Sequence, residues 1–279
     1  MPSLPTYEKD VLDQAKRAPE RGAFDEDAEA VGDPLEDSYY DYLIRLGDDS
    51  LILGQRLSEW CGHAPALEVD LSLANLALDL IGQATHLYEH ANNGDADAIA
   101  FHRDVLDFKN CLLVEQPNGD FAQTIARQLL FSTWQHMLYG ELTESPDPFL
   151  SGLAAKAVKE VAYHRELASE WTIRLGDGTE ESTRRMAEGI DWCWRFVPEL
   201  FEVDETLEEM IARQTVPDPR GFESAYYSAI EATLAGAKLA VPPDQRPILG
   251  GRRGHHSEHL GHLLAVMQHL PRTYPDATW

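Results

Sequence analysis

Glutamates and histidines at helical spacing are the residues of this chain most able to do chemistry. In a long four-helix bundle they would build a carboxylate-bridged di-metal centre. Such a centre takes a Glu from each of two helices and a Glu-x-x-His from each of the other two. Residues three apart share a helix face, so carboxylate and imidazole converge on the same ions. The eleven histidines are 63, 86, 90, 102, 136, 164, 255, 256, 259, 262 and 269, and none has a Glu three residues before it. Two partial matches remain, Gln83-x-x-His86 and Glu160-x-x-x-His164. An amide is uncharged and cannot bridge two cations as a carboxylate does. A Glu–His pair four apart can hold one ion but lacks the di-metal spacing. The sequence therefore argues against a catalytic di-iron centre in this chain. Glu59, His86, Glu160 and His164 are the candidate ligands of a rival reading, a stand-alone metal enzyme or metal-storage bundle. Glu160 and His164 also suit acid–base work, or a buried pair that only holds its own helix.

A second cluster comprises His255, His256, Glu258, His259 and His262. On one helix, three of these could ligate zinc. The plainer reading is a polar helix start whose histidines face solvent or a partner, since zinc ligands also need outer hydrogen bonds to fix them. Arg252 and Arg253 just before it could grip an anion at the helix N-terminus, or form an ordinary basic loop. No nucleophile elbow, phosphate loop or dinucleotide fingerprint is present. The three cysteines, 61, 111 and 193, are far apart and include no CxxC, which speaks for a reduced chain without a disulfide framework.

Helices must position these residues. Apolar positions in 39–60 follow a 3.6-residue period, and Gly62 and Pro65 break the chain after it. Asp70 is a plausible N-cap for the next helix. The leucine-rich stretch that follows is apolar all round, which predicts a helix at the centre of the bundle. Asn92, Asn93 and Gly94 close it. A short helix over 97–108 and an apolar stretch over 111–115 lead to QPNGD (116–120), which is turn chemistry. Long helices follow over 121–143 and 148–175, with Pro148 suited to a first helical position and Gly176, Asp177 and Gly178 as the stop. Further helices fall near 179–201, 204–213, 218–239 and 255–270. The Pro-rich loop 241–247 cannot be helical. Strand signals are nearly absent. The expected fold is all-α: a four-helix core over about 39–175, a helical extension over about 179–270, and an acidic, flexible tail over 1–37 with at most one short helix near 7–17.

Charge narrows the function. The chain has 279 residues, 48 acidic and 23 basic, for a net charge of −25. Eleven of the acids and four of the bases lie in 1–37, a net of −7, which leaves −18 for the rest. Nucleic-acid binding needs clustered cations and an anionic membrane surface needs the same, so neither suits this chain. Lys is scarce, 6 against 17 Arg. That scarcity beside so many carboxylates fits a salt-adapted host, where salt screens self-repulsion, or a merely acidic mesophile protein. Unfolding in low and in multimolar KCl separates the two. The opening residues, MPSLPTYEKDVLDQAKRAPERG, hold no apolar run of the secretory kind. No stretch approaches the ~18 apolar residues of a membrane span. The cytoplasm is the expected location.

Several segments are long enough to carry a specific resemblance. The run LGDDSLILGQRLSEWCGHAPALEVDLSLANLALDLIGQA (46–84) resembles the C-subunit family of phenylacetyl-CoA 1,2-epoxidase complexes, as do LLVEQPNGDFAQTIARQ (112–128), KEVAYH (159–164), EATL (231–234) and HSEHLGHLLAVMQ (256–268). The resemblance covers about 42–270 and leaves out the acidic tail and the full His255–His262 run. It implies a ferritin-like fold and a hetero-oligomer with a homologous catalytic subunit that carries the di-iron centre. It also implies small accessory subunits and a reductase subunit with flavin, iron–sulfur and NADPH. Together these use O2 to epoxidise the ring of phenylacetyl-CoA in aerobic phenylacetate breakdown. Members of the family are the structural, non-catalytic, metal-free partner, so no catalytic, cofactor-binding or metal residue is carried over. Trp60, Cys61, Gly62, His63 and the QPNGD turn would serve the packing of the subunits or the shape of the partner's site, or else internal packing. A generic helical interaction protein without an oxygenase role is the remaining alternative.

Overall fold

The computed structural model describes residues 34–275 and 277. The expected tail falls almost wholly outside them, as does the short helix proposed near 7–17. Every regular element among the described residues is helical. Four long helices form the core: α1 (Pro34–Ser58), α2 (Leu67–Ala91), α5 (Phe121–Leu142) and α6 (Pro148–Gly176). The crossover between α2 and α5 carries two short helices, α3 (Ala96–His102) and α4 (Leu112–Glu115). The first core helix begins at Pro34, earlier than the periodicity suggested.

Side-chain caps set several boundaries. Asp120 accepts from Gln123 N at 2.9 Å and opens α5, and Asp147 accepts from Leu150 N at 2.7 Å ahead of Pro148. Asp70 does something else. Helix α2 starts at Leu67, and the Asp70 carboxylate reaches back to Gly62 N at 2.7 Å. It closes the turn between α1 and α2 rather than capping α2.

Aromatic contacts show how the four helices run. Tyr39 at the start of α1 meets His90 at the end of α2, and His90 stacks on Phe149 at the start of α6, 3.7 Å between centroids. At the other end Trp60, Phe121 and Trp171 pack edge to face. Helix α5 therefore starts where α1 ends. The crossover runs back along the bundle and leaves α2 and α5 parallel, a four-helix bundle with one long crossover, the expected ferritin-like all-α fold. Helices α1 and α2 approach closely at Gly47, where a methyl group would run into the Tyr88 ring.

The extension adds α7 (Glu180–Trp194), α8 (Glu205–Ala212), α9 (Glu223–Gly236), α10 (Glu258–Met267) and α11 (His269–Thr273), with short 3-10 turns between some of them. Helices α7 and α9 pack on α5 and α6. This changes which helix is central. Every residue of α5 from Thr124 to Gln135 is buried. Helix α2, expected at the centre, instead leaves Leu67 71%, Leu71 57% and Leu78 66% exposed. The all-round apolarity of α2 is real, but nothing in the described chain covers its outer face.

Candidate functional site

The middle of the bundle is where the helices would present metal ligands, and it holds a network of mostly neutral groups. Gln83 on α2 donates to Glu160 Oε2 on α6 at 3.1 Å. Gln83 Oε1 accepts from Gln135 Nε2 at 3.2 Å and from the Tyr139 hydroxyl at 3.4 Å, both on α5. Burial pushes the Tyr139 phenol up to about 12, so it stays protonated. Gln83, Gln135 and Tyr139 are all buried. Two amides and a phenol thus accompany the one carboxylate of the network, Glu160. An amide both donates and accepts, so these neutral groups tie α2, α5 and α6 together, with Gln135 Oε1 left without a partner among the described residues.

Of the remaining members of the rival ligand set, His86 lines one surface pocket with Gln83 and Glu160, but His86, His164 and Glu59 are all engaged by other partners. His86 is half exposed and faces Glu89 at 3.6 Å. His164 is fully buried but bonds Asp79 at 3.1 Å. Glu59 sits beyond the end of α1 with Arg56 at 3.0 Å and Asn118 at 2.8 Å. Among the described residues no three His, Cys, Asp or Glu side chains gather as a metal group.

The larger polar assembly is one that sequence reasoning missed. Four carboxylates, Asp48, Asp49, Glu115 and Glu199, are each at most 1% exposed. They clamp the crossover and the 250–257 loop onto α1. Asp48 takes Lys109 N at 2.6 Å, the Arg103 guanidinium and the Tyr88 hydroxyl. Asp49 takes Cys111 N at 2.7 Å and Arg252 at 2.8 Å. Glu199 takes three backbone N–H groups, Leu112 at 2.6 Å, Gly250 at 2.8 Å and Gly251 at 2.7 Å. Burial pushes the Asp49 and Glu199 carboxyls up, and Arg252 and the backbone donors only partly oppose it. Gly251 is required here, because a methyl would collide with the Asn110 carbonyl.

Glu115 explains the histidine cluster. Helix α10 begins at Glu258, so His255 and His256 precede it and cannot share its face with His259 and His262. His256 turns inward instead, with Nδ1 2.7 Å from Glu115 Oε2 and Nε2 2.9 Å from the Phe108 carbonyl. Arg252 and Arg253 likewise grip internal carboxylates, Asp49 and Glu202. Burial alone would push the His256 imidazole down, but the bond and charge of Glu115 more than reverse it, and the pKa is raised. A raised folded-state pKa contributes stability that is complete below the unfolded value of about 6.5 and is lost as pH climbs through the folded value. Urea unfolding should therefore show His256→Gln costing more at pH 5.5 than at pH 8.5.

The QPNGD turn is mainly an internal feature. Arg127, 1% exposed, donates to the Gln116 carbonyl and to Asn118 Oδ1 at 2.5 Å. It has no carboxylate partner among the described residues, and burial lowers its pKa to about 10. Asn118 donates to the Arg56 carbonyl at 2.7 Å, and Trp60 Nε1 donates to Thr124 at 3.1 Å. Trp60 and the turn thus lock α1 to α5. Cys61, Gly62 and His63 are exposed beside them. Cys111 and Cys193 are buried, and burial pushes the Cys193 thiol up to about 12.

The profile of the phenylacetic acid catabolic protein family matches residues 23–279. This chain belongs to that family. The match begins inside the segment expected to be an unrelated tail. The chain is also 47% identical over 242 residues to the C subunit of the 1,2-phenylacetyl-CoA epoxidase of Escherichia coli, covering 85% of this chain and 98% of that protein. Among the described residues, no helix is long and apolar enough to cross a membrane.

Proposed function

We propose that this chain is the structural, non-catalytic subunit of a multicomponent phenylacetyl-CoA 1,2-epoxidase, acting in phenylacetate catabolism in the cytoplasm. The carrying observation is the 47% identity to the C subunit of such an epoxidase across 98% of that protein's length. A match of that extent leaves little room for a different architecture or a different role.

The bundle centre supports the non-catalytic part of the reading. A carboxylate cage without its metal would be a set of unpaired buried charges, which is costly. Gln83, Gln135 and Tyr139 remove that cost and leave a rigid frame. The exposed leucines of α2 support the subunit part. Apolar surface of that kind on a chain of net charge −25 suits a stable partner. In this reading the partner is a homologous catalytic subunit that supplies the di-iron chemistry, with electrons arriving from NADPH through a flavin and iron–sulfur reductase. This chain contributes position and rigidity and holds no cofactor of its own.

Co-expression tests the reading. The chain should co-purify with the catalytic subunit, and ring epoxidation of phenylacetyl-CoA should fall at least a hundredfold when it is omitted. Full epoxidation without it, or failure to form a stable complex, would contradict the reading.

A further inference from the structure

Helices α10 and α11 are tied to the crossover at both ends, and the two ties differ in kind. At the far end Gln268 Nε2 donates to the Ala100 and Arg103 carbonyls, both at 3.0 Å. Arg272 donates to the Phe101 carbonyl at 2.9 Å and the Arg103 carbonyl at 2.7 Å. An amide does not titrate and a guanidinium keeps its proton, so this tie does not respond to pH. At the near end the tie is His256. Its side chain is 2% exposed, with Nδ1 2.7 Å from Glu115 Oε2 and Nε2 2.9 Å from the Phe108 carbonyl.

These partners fix the protonation of the ring. A carbonyl oxygen only accepts. The Glu115 carboxylate already accepts at both oxygens, from Ser257 N at 2.6 Å and from Asn110 Nδ2 at 2.9 Å. Both ring nitrogens therefore have to donate. A neutral imidazole has one N–H, and only the imidazolium has two. Loss of one proton would leave a buried lone pair against an oxygen, which is costly.

The charged groups around the ring are Glu115 from α4, Asp48 and Arg56 from α1, and Arg103 from the crossover. Asp48 is paired with Arg103, and Arg56 bonds the Glu115 and His259 carbonyls. Glu115 is thus the carboxylate in contact with the ring. Burial pulls the imidazole pKa down, but the bond and charge of Glu115 outweigh it and the pKa is raised. The imidazolium therefore persists above the ordinary value of about 6.5.

We propose that His256 is a proton-operated latch. As the imidazolium it fastens the 250–257 loop and the start of α10 to the crossover. Its deprotonation at alkaline pH frees residues 255–260, while Gln268 and Arg272 keep the far end in place. The latch belongs to the chain's own fold and does not depend on a role in the epoxidase.

The test follows the full chain from pH 6 to pH 10. NMR of the histidine ring nitrogens reads the latch directly, and His256 should carry both N–H groups at pH 6 and lose one well above pH 6.5. Hydrogen exchange, corrected for the intrinsic rate at each pH, reads its release. Protection of the Ser257 amide and the first turn of α10 should fall at least tenfold through the His256 transition, while that of α5 and of residues 268–274 holds. In His256→Gln the same amides should exchange fast at every pH. If that variant does not fold, the ring titration and the exchange of the unchanged chain decide alone. The proposal is overturned by a single ring N–H at pH 6, by titration at or below pH 6.5, or by protection of Ser257 that ignores the transition. It is equally overturned by a loss of protection that spreads to α5 or to 268–274, or by a pH-dependent loss that survives in His256→Gln.

Discussion

Arg252→Met should destabilise the chain by about 3–5 kcal/mol, the usual cost of removing one partner from a buried ion pair. The Asp49 carboxylate is 1% exposed, and its only cationic contact among the described residues is Arg252, 2.8 Å away. Met fills much the same volume, so the loss is electrostatic rather than a cavity. Arg252 also donates to the Lys109 carbonyl at 3.1 Å, so the crossover loses a second tie. The burial that already pushes the Asp49 carboxyl up would then be opposed mainly by Cys111, and Asp49 would take up a proton. The double variant Asp49→Asn with Arg252→Met should recover much of the loss, because no unpaired charge is left buried. Urea unfolding of the two single variants and the double variant measures this as a coupling energy. If the single Arg252→Met variant costs under about 1 kcal/mol, the clamp does not hold the crossover.

Gln83→Glu should be nearly as costly, and its cost should depend on pH. The new carboxylate would lie about 3 Å from Glu160 Oε2, where Gln83 Nε2 now donates at 3.1 Å. Like charge and burial both push its pKa up, by about two to three units, or ~3–4 kcal/mol at neutral pH. A carboxyl raised in the folded state favours the protonated form. The penalty is therefore absent below the unfolded value of about 4.3 and grows as pH climbs towards the folded value. Unfolding of Gln83→Glu and the unchanged chain at pH 4 and pH 7.5 should show the difference opening only at the higher pH. A constant small difference would mean that the bundle centre tolerates charge, and that its neutral groups are not what makes it stable without a metal.

Much of the fold can be read along the chain because the signals are local. Pro148 after Asp147, Gly176 before Asp177, and the turn residues 92–94 and 116–120 mark helix ends by their own chemistry. Asp70 misleads because its carboxylate serves a turn eight residues back, and a cap and a reverse contact look alike in sequence. Helix α2 misleads for another reason. Apolarity all round shows that a helix is covered, not by what, and here the cover for Leu67, Leu71 and Leu78 is not in the described chain.

The site is legible only in its negative half. The missing Glu-x-x-His pairs can be counted directly, but what replaces them cannot. Gln135 reaches Gln83 across 52 residues and Gln83 reaches Glu160 across 77. The buried carboxylates are harder still, since Asp49 and Arg252 are 203 residues apart. The histidine run shows the same limit. Its spacing allows metal but reads more plainly as a polar helix start facing solvent or a partner, yet His256 turns inward to Glu115, 141 residues away, and the helix begins two residues after it.

Supporting an epoxidase without holding its metal is the central property ascribed to this chain, and iron content tests it most directly. The chain is expressed alone in iron-supplemented medium, purified without chelator and assayed for metal per chain, beside the co-expressed complex. The expected result is well under roughly 0.1 iron per chain for the isolated chain, because no carboxylate cage among the described residues compensates the charge of the ions, and stoichiometric iron only when the catalytic subunit is present. One or two tightly held irons per isolated chain would contradict it.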